Sequence, residues 1–148
     1  MPKFTDSFGP ASSMEIEGLE QRLGIKLPDD YKQFILKTNG GVPAPNGFVV
    51  PERGQALVDI LYGIRTERIG GDLEFEQEQA ALWEPLPEGF VAIAHDPGGS
   101  SILLATIGKH AGKVFYWDRN GLWVRDDRSN TFLIAQNFSD FIELLCEL

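Results

Sequence analysis

The chain has 148 residues, a single cysteine and 22 acidic against 13 basic residues, giving a formal net charge of −9 and a pI near 4.6. That length suits one domain, which buries roughly 70% of the surface of its unfolded chain and needs neither disulfide nor metal to stay folded. The lone Cys146 excludes an internal disulfide framework, and the negative charge argues against nucleic acids and anionic membranes as partners. Residues 1–11 are polar and interrupted by prolines, and read as a loosely packed N-terminal arm before a domain over residues 12–148. They lack the basic and apolar regions of a secretory leader, and no apolar run anywhere approaches the ~20 residues that span a bilayer. A cytoplasmic protein is the expectation.

Ser12 with Glu15 fits a capping box, in which each side chain satisfies the other's backbone donor. Ile16, Leu19 and Leu23 follow as a helical stripe that Gly24 ends. Leu27–Gly41, LPDDYKQFILKTNGG, predicts a second helix with both ends marked. Pro28 suits the first helical position. Asp29 and Asp30 sit where the helix dipole is positive, and Lys37 sits where it is negative. Tyr31, Phe34, Ile35 and Thr38 share one face. Asn39-Gly40-Gly41 supplies residues able to adopt the left-handed backbone that stops a helix.

Residues 40–56 are rich in proline and glycine and read as an ordered loop. Ala56–Ile64 follows as a strand, with a short helix as the alternative. Gly70-Gly71 breaks the chain, and Asp72 then caps a helix reaching about Trp83 with Leu73, Ala80 and Trp83 inward. From Gly89 the hydrophobic period changes from 3.6 to 2. Phe90–His95 and Ser101–Ile107 predict two strands joined by the turn Asp96–Gly99. Gly108–Gly112 connects to a strand over Lys113–Asp118. Asn120-Gly121 marks another turn, Leu122–Arg125 continues the meander, and Thr131–Ala135 adds a short piece. Ser139 caps a closing helix in which Phe138, Phe141, Ile142 and Leu145 share a face. Helices first, an antiparallel meander next and a helix last give an α+β domain.

Residue types that carry chemistry are present without the spacing that chemistry needs. His95, Asp96, Ser100 and Ser101 hold the parts of a hydrolytic triad, but they lie across one turn and no strained nucleophile elbow frames them. Gly108–Lys113 falls one residue short of a phosphate loop and leads into a strand instead of a helix. Two histidines and one cysteine lack metal-ligand spacing, and no EF-hand loop frames Asp118, Asp126 and Asp127. Cys146 reads as a semi-buried small apolar residue of the closing helix. Neither catalytic residues, cofactor nor metal are therefore assigned.

In order and spacing, several of these pieces resemble the Smi1/Knr4-like family of the SUKH superfamily. They are Ile16…Leu19…Leu23-Gly24, Leu27-Pro28…Tyr31…Phe34…Asn39-Gly40-Gly41, Val91–Ala94…Asp96…Gly98-Gly99…Ile102–Leu104, Gly112–Trp117 and Ile134-Ala135…Asn137–Ile142. The resemblance implies an α+β fold with a helical hairpin on a sheet. It also implies a non-enzymatic immunity protein that binds and neutralises a cognate toxin, many such toxins being nucleases. A regulatory or scaffolding module, as in fungal relatives, is the alternative it implies. Those relatives carry long extensions, whereas this chain stops near the closing helix, which points to the stand-alone immunity form.

The acids Glu67, Asp72, Glu74, Glu76, Glu78, Glu84 and Glu88 stand against one base, Arg68, and read either as a solvated helix face or as a surface for a basic partner. On the second reading Asp72, Glu74, Glu76 and Glu78 would bind the toxin. Strand alternation puts Phe115 and Trp117 on one face and Tyr116 on the other, so part of this aromatic group is core. Tyr116 and Trp123 are the candidate aromatic anchors.

Overall fold

The structure is a computed structural model that describes residues 2–65, 67, 69–82, 84–119 and 130–148. It is an α+β domain. Nine strands are described: β1 (Lys3–Thr5), β2 (Val42–Ala44), β3 (Gly47–Val50), β4 (Gly54–Leu57), β5 (Ile60–Leu61), β6 (Phe90–His95), β7 (Ser101–Ala105), β8 (Val114–Trp117) and β9 (Thr131–Ala135). The helices are α1 (Ser13–Leu23), α2 (Asp29–Lys37), α3 (Leu73–Ala80) and α4 (Phe138–Leu144). The main sheet is an antiparallel meander in the order β5-β6-β7-β8-β9. β1-β2 and β3-β4 form two small antiparallel pairs, and a bridge between Gly41 and Leu61 joins the first pair to the edge of the meander.

The helix ends follow their local chemistry. Ser12 and Glu15 complete the capping box, and Gly24 closes α1 with φ of 67°. Pro28 lies one position earlier than its preference suggests, as the extended N-cap of α2, and Asp29 begins the helix. Tyr31 and Ile35 are fully buried while Phe34 packs at the margin, its ring 5.1 Å from that of Phe138. Asp30 accepts from the Tyr31 N–H and, through its other oxygen, from the Ser139 N–H at 3.0 Å, which ties α2 to α4. Ser139 is therefore not the cap of α4. That role falls to Asn137, whose backbone is extended and whose Oδ1 accepts from the Asp140 N–H at 2.8 Å.

β7 is the central strand of the meander, paired on both edges, and every residue in it is buried, Ser101 included, so its side chains show no alternation with solvent. On the face that carries Tyr116 and Ile102, the β3-β4 hairpin and α4 close the core through Phe48, whose ring lies 6.0 Å from Tyr116 and 5.6 Å from Phe141.

Three further expectations change. The N-terminal segment is not a loose arm: β1 pairs with β2, the Phe4 ring lies 5.3 Å from Phe34, and Phe8 donates its N–H to the Asn39 carbonyl. The proline-rich stretch after Gly41 holds β2, β3 and β4 instead of a loop, because Pro43 lies in the short β2 and Pro51 in the turn of the β3-β4 hairpin. Cys146 lies past α4 and is exposed, its backbone bridging that of Gly47. Trp83, the Asn120-Gly121 turn and the Leu122–Arg125 strand lie outside the described residues.

α3 lies against β6 beyond the point where β5 stops, and one side chain there replaces a strand. The Gln77 amide donates to the Ala92 carbonyl at 2.6 Å and accepts from the Ala92 N–H at 2.7 Å, and it also donates to the Leu73 carbonyl. Gln77→Ala leaves two buried backbone groups unpaired, and should lower the urea-unfolding free energy by about 2–4 kcal/mol at unchanged m-value. A loss below about 1 kcal/mol would mean that water or a shifted β5 replaces the amide.

Candidate partner-binding surface

The acidic residues around α3 have different occupations. Asp72 is the N-cap of α3 and is buried: Oδ2 accepts from the Phe75 N–H at 3.0 Å and Oδ1 from the Arg65 N–H at 3.1 Å. It is a structural residue, contrary to its assignment as a partner contact. Glu74 is half-buried and holds Arg22 of α1 through both carboxylate oxygens at 3.0 Å. Glu76 accepts from the Gly71 N–H at 3.0 Å and so fixes the turn before the helix. Glu78 is exposed on the outer side of α3.

Tyr116 is also removed from the surface, at 4% exposure, and cannot anchor a partner as expected. Its hydroxyl donates to Asp96, itself buried, whose other oxygen accepts from the Ser100 N–H. Burial, and then the bond to the Asp96 carboxylate, push the Tyr116 phenol up to about 12. Burial likewise raises the Tyr31 and Tyr62 phenols well above their ordinary range. Trp123 lies outside the described residues, as do Arg68, Asp126 and Asp127.

The supposed triad is dispersed. His95 has both ring nitrogens engaged, Nδ1 with the Tyr62 hydroxyl at 2.8 Å and Nε2 with Asp59 at 3.0 Å, whereas Asp96 serves Ser100 and Tyr116. Gly108–His110 forms a single 3-10 turn between β7 and β8. Among the described residues, no group of three His, Cys, Asp or Glu side chains could hold a metal ion, and no helix is long and apolar enough to cross a membrane.

Another concavity brings together residues that sequence reasoning did not associate. A cavity of about 690 Å³ lies between the 6–10 segment and residues 60–67. Phe8, Ile60 and Ile64 give it apolar walls, and Asp6, Glu15 and Glu67 are exposed along it. Arg65 is its one lining cation among the described residues, with its guanidinium 4.3 Å from the Phe8 ring centroid. The cavity adjoins the start of α3 because Gly71 packs against Phe8, where a Cβ would come within 2.8 Å of the ring. Glu67 is far in sequence from Asp6 and Glu15. Long-range contacts, the Phe8 N–H to the Asn39 carbonyl and the Asn39 amide to the Ile64 backbone, bring the two sides together, and no local pattern announces them.

The model of the SMI1 / KNR4 family (SUKH-1) matches residues 10–144. The chain belongs to this family. A relative is "Uncharacterized protein YnaB" of Bacillus subtilis (strain 168), 27% identical over 140 residues that cover 94% of this chain and 78% of that protein. The SUKH-1 match includes α1 to α4 and all the meander strands, and it begins after β1 and the Asp6 turn. In this SUKH-1 chain one wall of the cavity is thus supplied by residues outside the matched span.

Two measurements separate structural acids from surface acids. Asp72→Ala should cost about 1–3 kcal/mol of unfolding free energy through loss of a cap and of the Arg65 bond, whereas Glu78→Gln should stay within about 0.5 kcal/mol of wild type. The second concerns pH. Folded Tyr116 keeps its proton to about 12, while the unfolded phenol releases it near 10. The unfolded state then binds fewer protons between those values, so stability is complete below pH 10 and falls as pH rises toward 12. Tyr116→Phe should flatten that part of the stability profile, and an unchanged slope would assign it to the other buried tyrosines.

Proposed function

We propose that this SUKH-1 chain is a non-catalytic immunity protein that binds a cognate toxin and blocks its active site or the approach of its substrate. The family includes immunity proteins, and the observation that carries the reading to this chain is charge. Asp6, Glu15 and Glu67 edge a concavity that adjoins the start of α3, Glu78 of that helix is exposed, and the protein's net charge is −9. Such a face complements a basic surface, and a nuclease presents one where it binds the phosphate backbone. Opposed charge raises the rate of encounter and fixes orientation.

The test is capture of the partner from the native host, followed by co-expression. The captured protein should arrest growth when expressed alone, and this chain should restore growth with a 1:1 complex whose affinity falls steeply with added salt. A benign partner would overturn the reading in favour of a regulatory module. Salt-insensitive binding would remove the electrostatic part of it.

A further inference from the structure

We propose that the cavity between the 6–10 segment and residues 60–67 receives an extended, arginine-bearing segment of the partner protein, with the cation held among Asp6, Glu15 and Glu67. The inference rests on the reading above in assuming a protein partner with a basic surface, and it adds where and how that partner is held.

Shape, charge and an internal precedent point the same way. The volume of about 690 Å³ falls within the range of sites that enclose a ligand, well beyond the space between packed side chains. Its walls combine the apolar Phe8, Ile60 and Ile64 with three exposed carboxylates, a pairing that suits a side chain with an aliphatic stem and a charged head. The three carboxylates exceed the single lining cation, Arg65, so the cavity retains negative charge for an incoming group. Arg65 itself shows that this environment accepts a guanidinium: its head stacks 4.3 Å from the Phe8 centroid and donates to the Gly70 carbonyl at 3.3 Å. A second guanidinium beside it would find carboxylates in place of that carbonyl, and bidentate pairing makes arginine the better fit than lysine. The cavity is also held open by rigid parts. The Asn39 amide at its base is engaged on both sides by the Ile64 backbone, and Phe8 is fixed through its N–H to the Asn39 carbonyl.

The experiment uses the full chain and the peptide acetyl-Gly-Arg-Gly-Arg-Gly-amide, followed by ¹H–¹⁵N chemical-shift mapping. The largest shifts should fall on Asp6, Ser7, Phe8, Ile64, Arg65 and Glu67. The double substitution D6N/E67Q should weaken binding by about tenfold or more, the loss expected from charge-assisted bonds. Asparagine tolerates the positive φ of residue 6, so the backbone is retained. E143Q, on α4 and outside the cavity lining, should leave peptide affinity unchanged. Shifts centred on α3, or D6N/E67Q binding as wild type does, would overturn the proposal. Co-expression then separates the two readings. Protection from the toxin that survives D6N/E67Q would sink the cavity and leave immunity standing. Groove-centred peptide binding by a chain that protects against no captured partner would sink immunity and leave the cavity standing.

Discussion

The structure depends on a single buried amide. Asn39 is 2% exposed, has φ of 58°, and its side chain behaves as a short strand, donating to the Ile64 carbonyl at 2.8 Å and accepting from the Ile64 N–H at 2.7 Å. Its own carbonyl receives the Phe8 N–H. One residue at the end of α2 therefore fixes the N-terminal segment and the stretch leaving β5. Its neighbours leave no room for anything larger than hydrogen: a Cβ on Gly63 would lie 2.5 Å from the Asn39 carbonyl oxygen, and one on Gly40 would lie 2.8 Å from that of Leu61. Asparagine suits the position because it tolerates the left-handed backbone and offers both a donor and an acceptor. A leucine of similar size would strand both Ile64 groups.

From that junction the molecule divides into a fixed interior and a charged exterior. The meander, α2, α4 and the β3-β4 hairpin enclose Tyr31, Phe48, Phe138 and Phe141, which pack at ring separations of 4.9 to 5.6 Å. The carboxylates drawn inside are engaged, Asp72 by backbone N–H groups and Asp96 by Ser100 and Tyr116, whereas the buried Tyr31 hydroxyl has no hydrogen-bond partner among the described residues. Outward near α3 lie the half-buried Glu74 and Glu76 and the exposed Glu78, while the first ten residues expose one acid, Asp6, and one base, Lys3. Such a division would suit the proposed binding role, because a rigid frame limits the entropy lost when a surface meets its partner.

Local chemistry was legible in the sequence wherever a few adjacent residues decide the outcome. The Ser12–Glu15 box, the Asp72 cap and the Asp96–Gly99 turn each rest on contacts within four or five residues, and the Phe90–His95 strand announces itself by a local apolar run between turn residues. Pairings across the chain were not legible. Lys3–Thr5 joins Val42–Ala44 through backbone bonds that carry little side-chain signature, so the N-terminal segment reads as an arm and the cavity beneath it goes unseen. Proline hid β2 and the hairpin that follows, since its usual meaning in a strand holds for central positions and these are short and peripheral. The role of a carboxylate was legible only in part. Asp72 reads equally as a cap and as a surface charge, and its depth decides between them. Tyr116 was misjudged because alternation identifies a face of β8 without telling that the hairpin and α4 cover it.

The amide of Gln77 has a consequence for behaviour at high concentration. β5 pairs with only the last two residues of β6, through Leu61 with Ala94 and Ile60 with His95, so the rest of that strand would otherwise be an open edge with apolar neighbours. An open edge of that kind recruits strands from other molecules and seeds aggregates. Gln77 occupies the donor and acceptor of Ala92 and α3 shields what lies around them, so the edge is closed from within the chain. α3 thereby takes this stretch of β6 out of the edges open to another molecule.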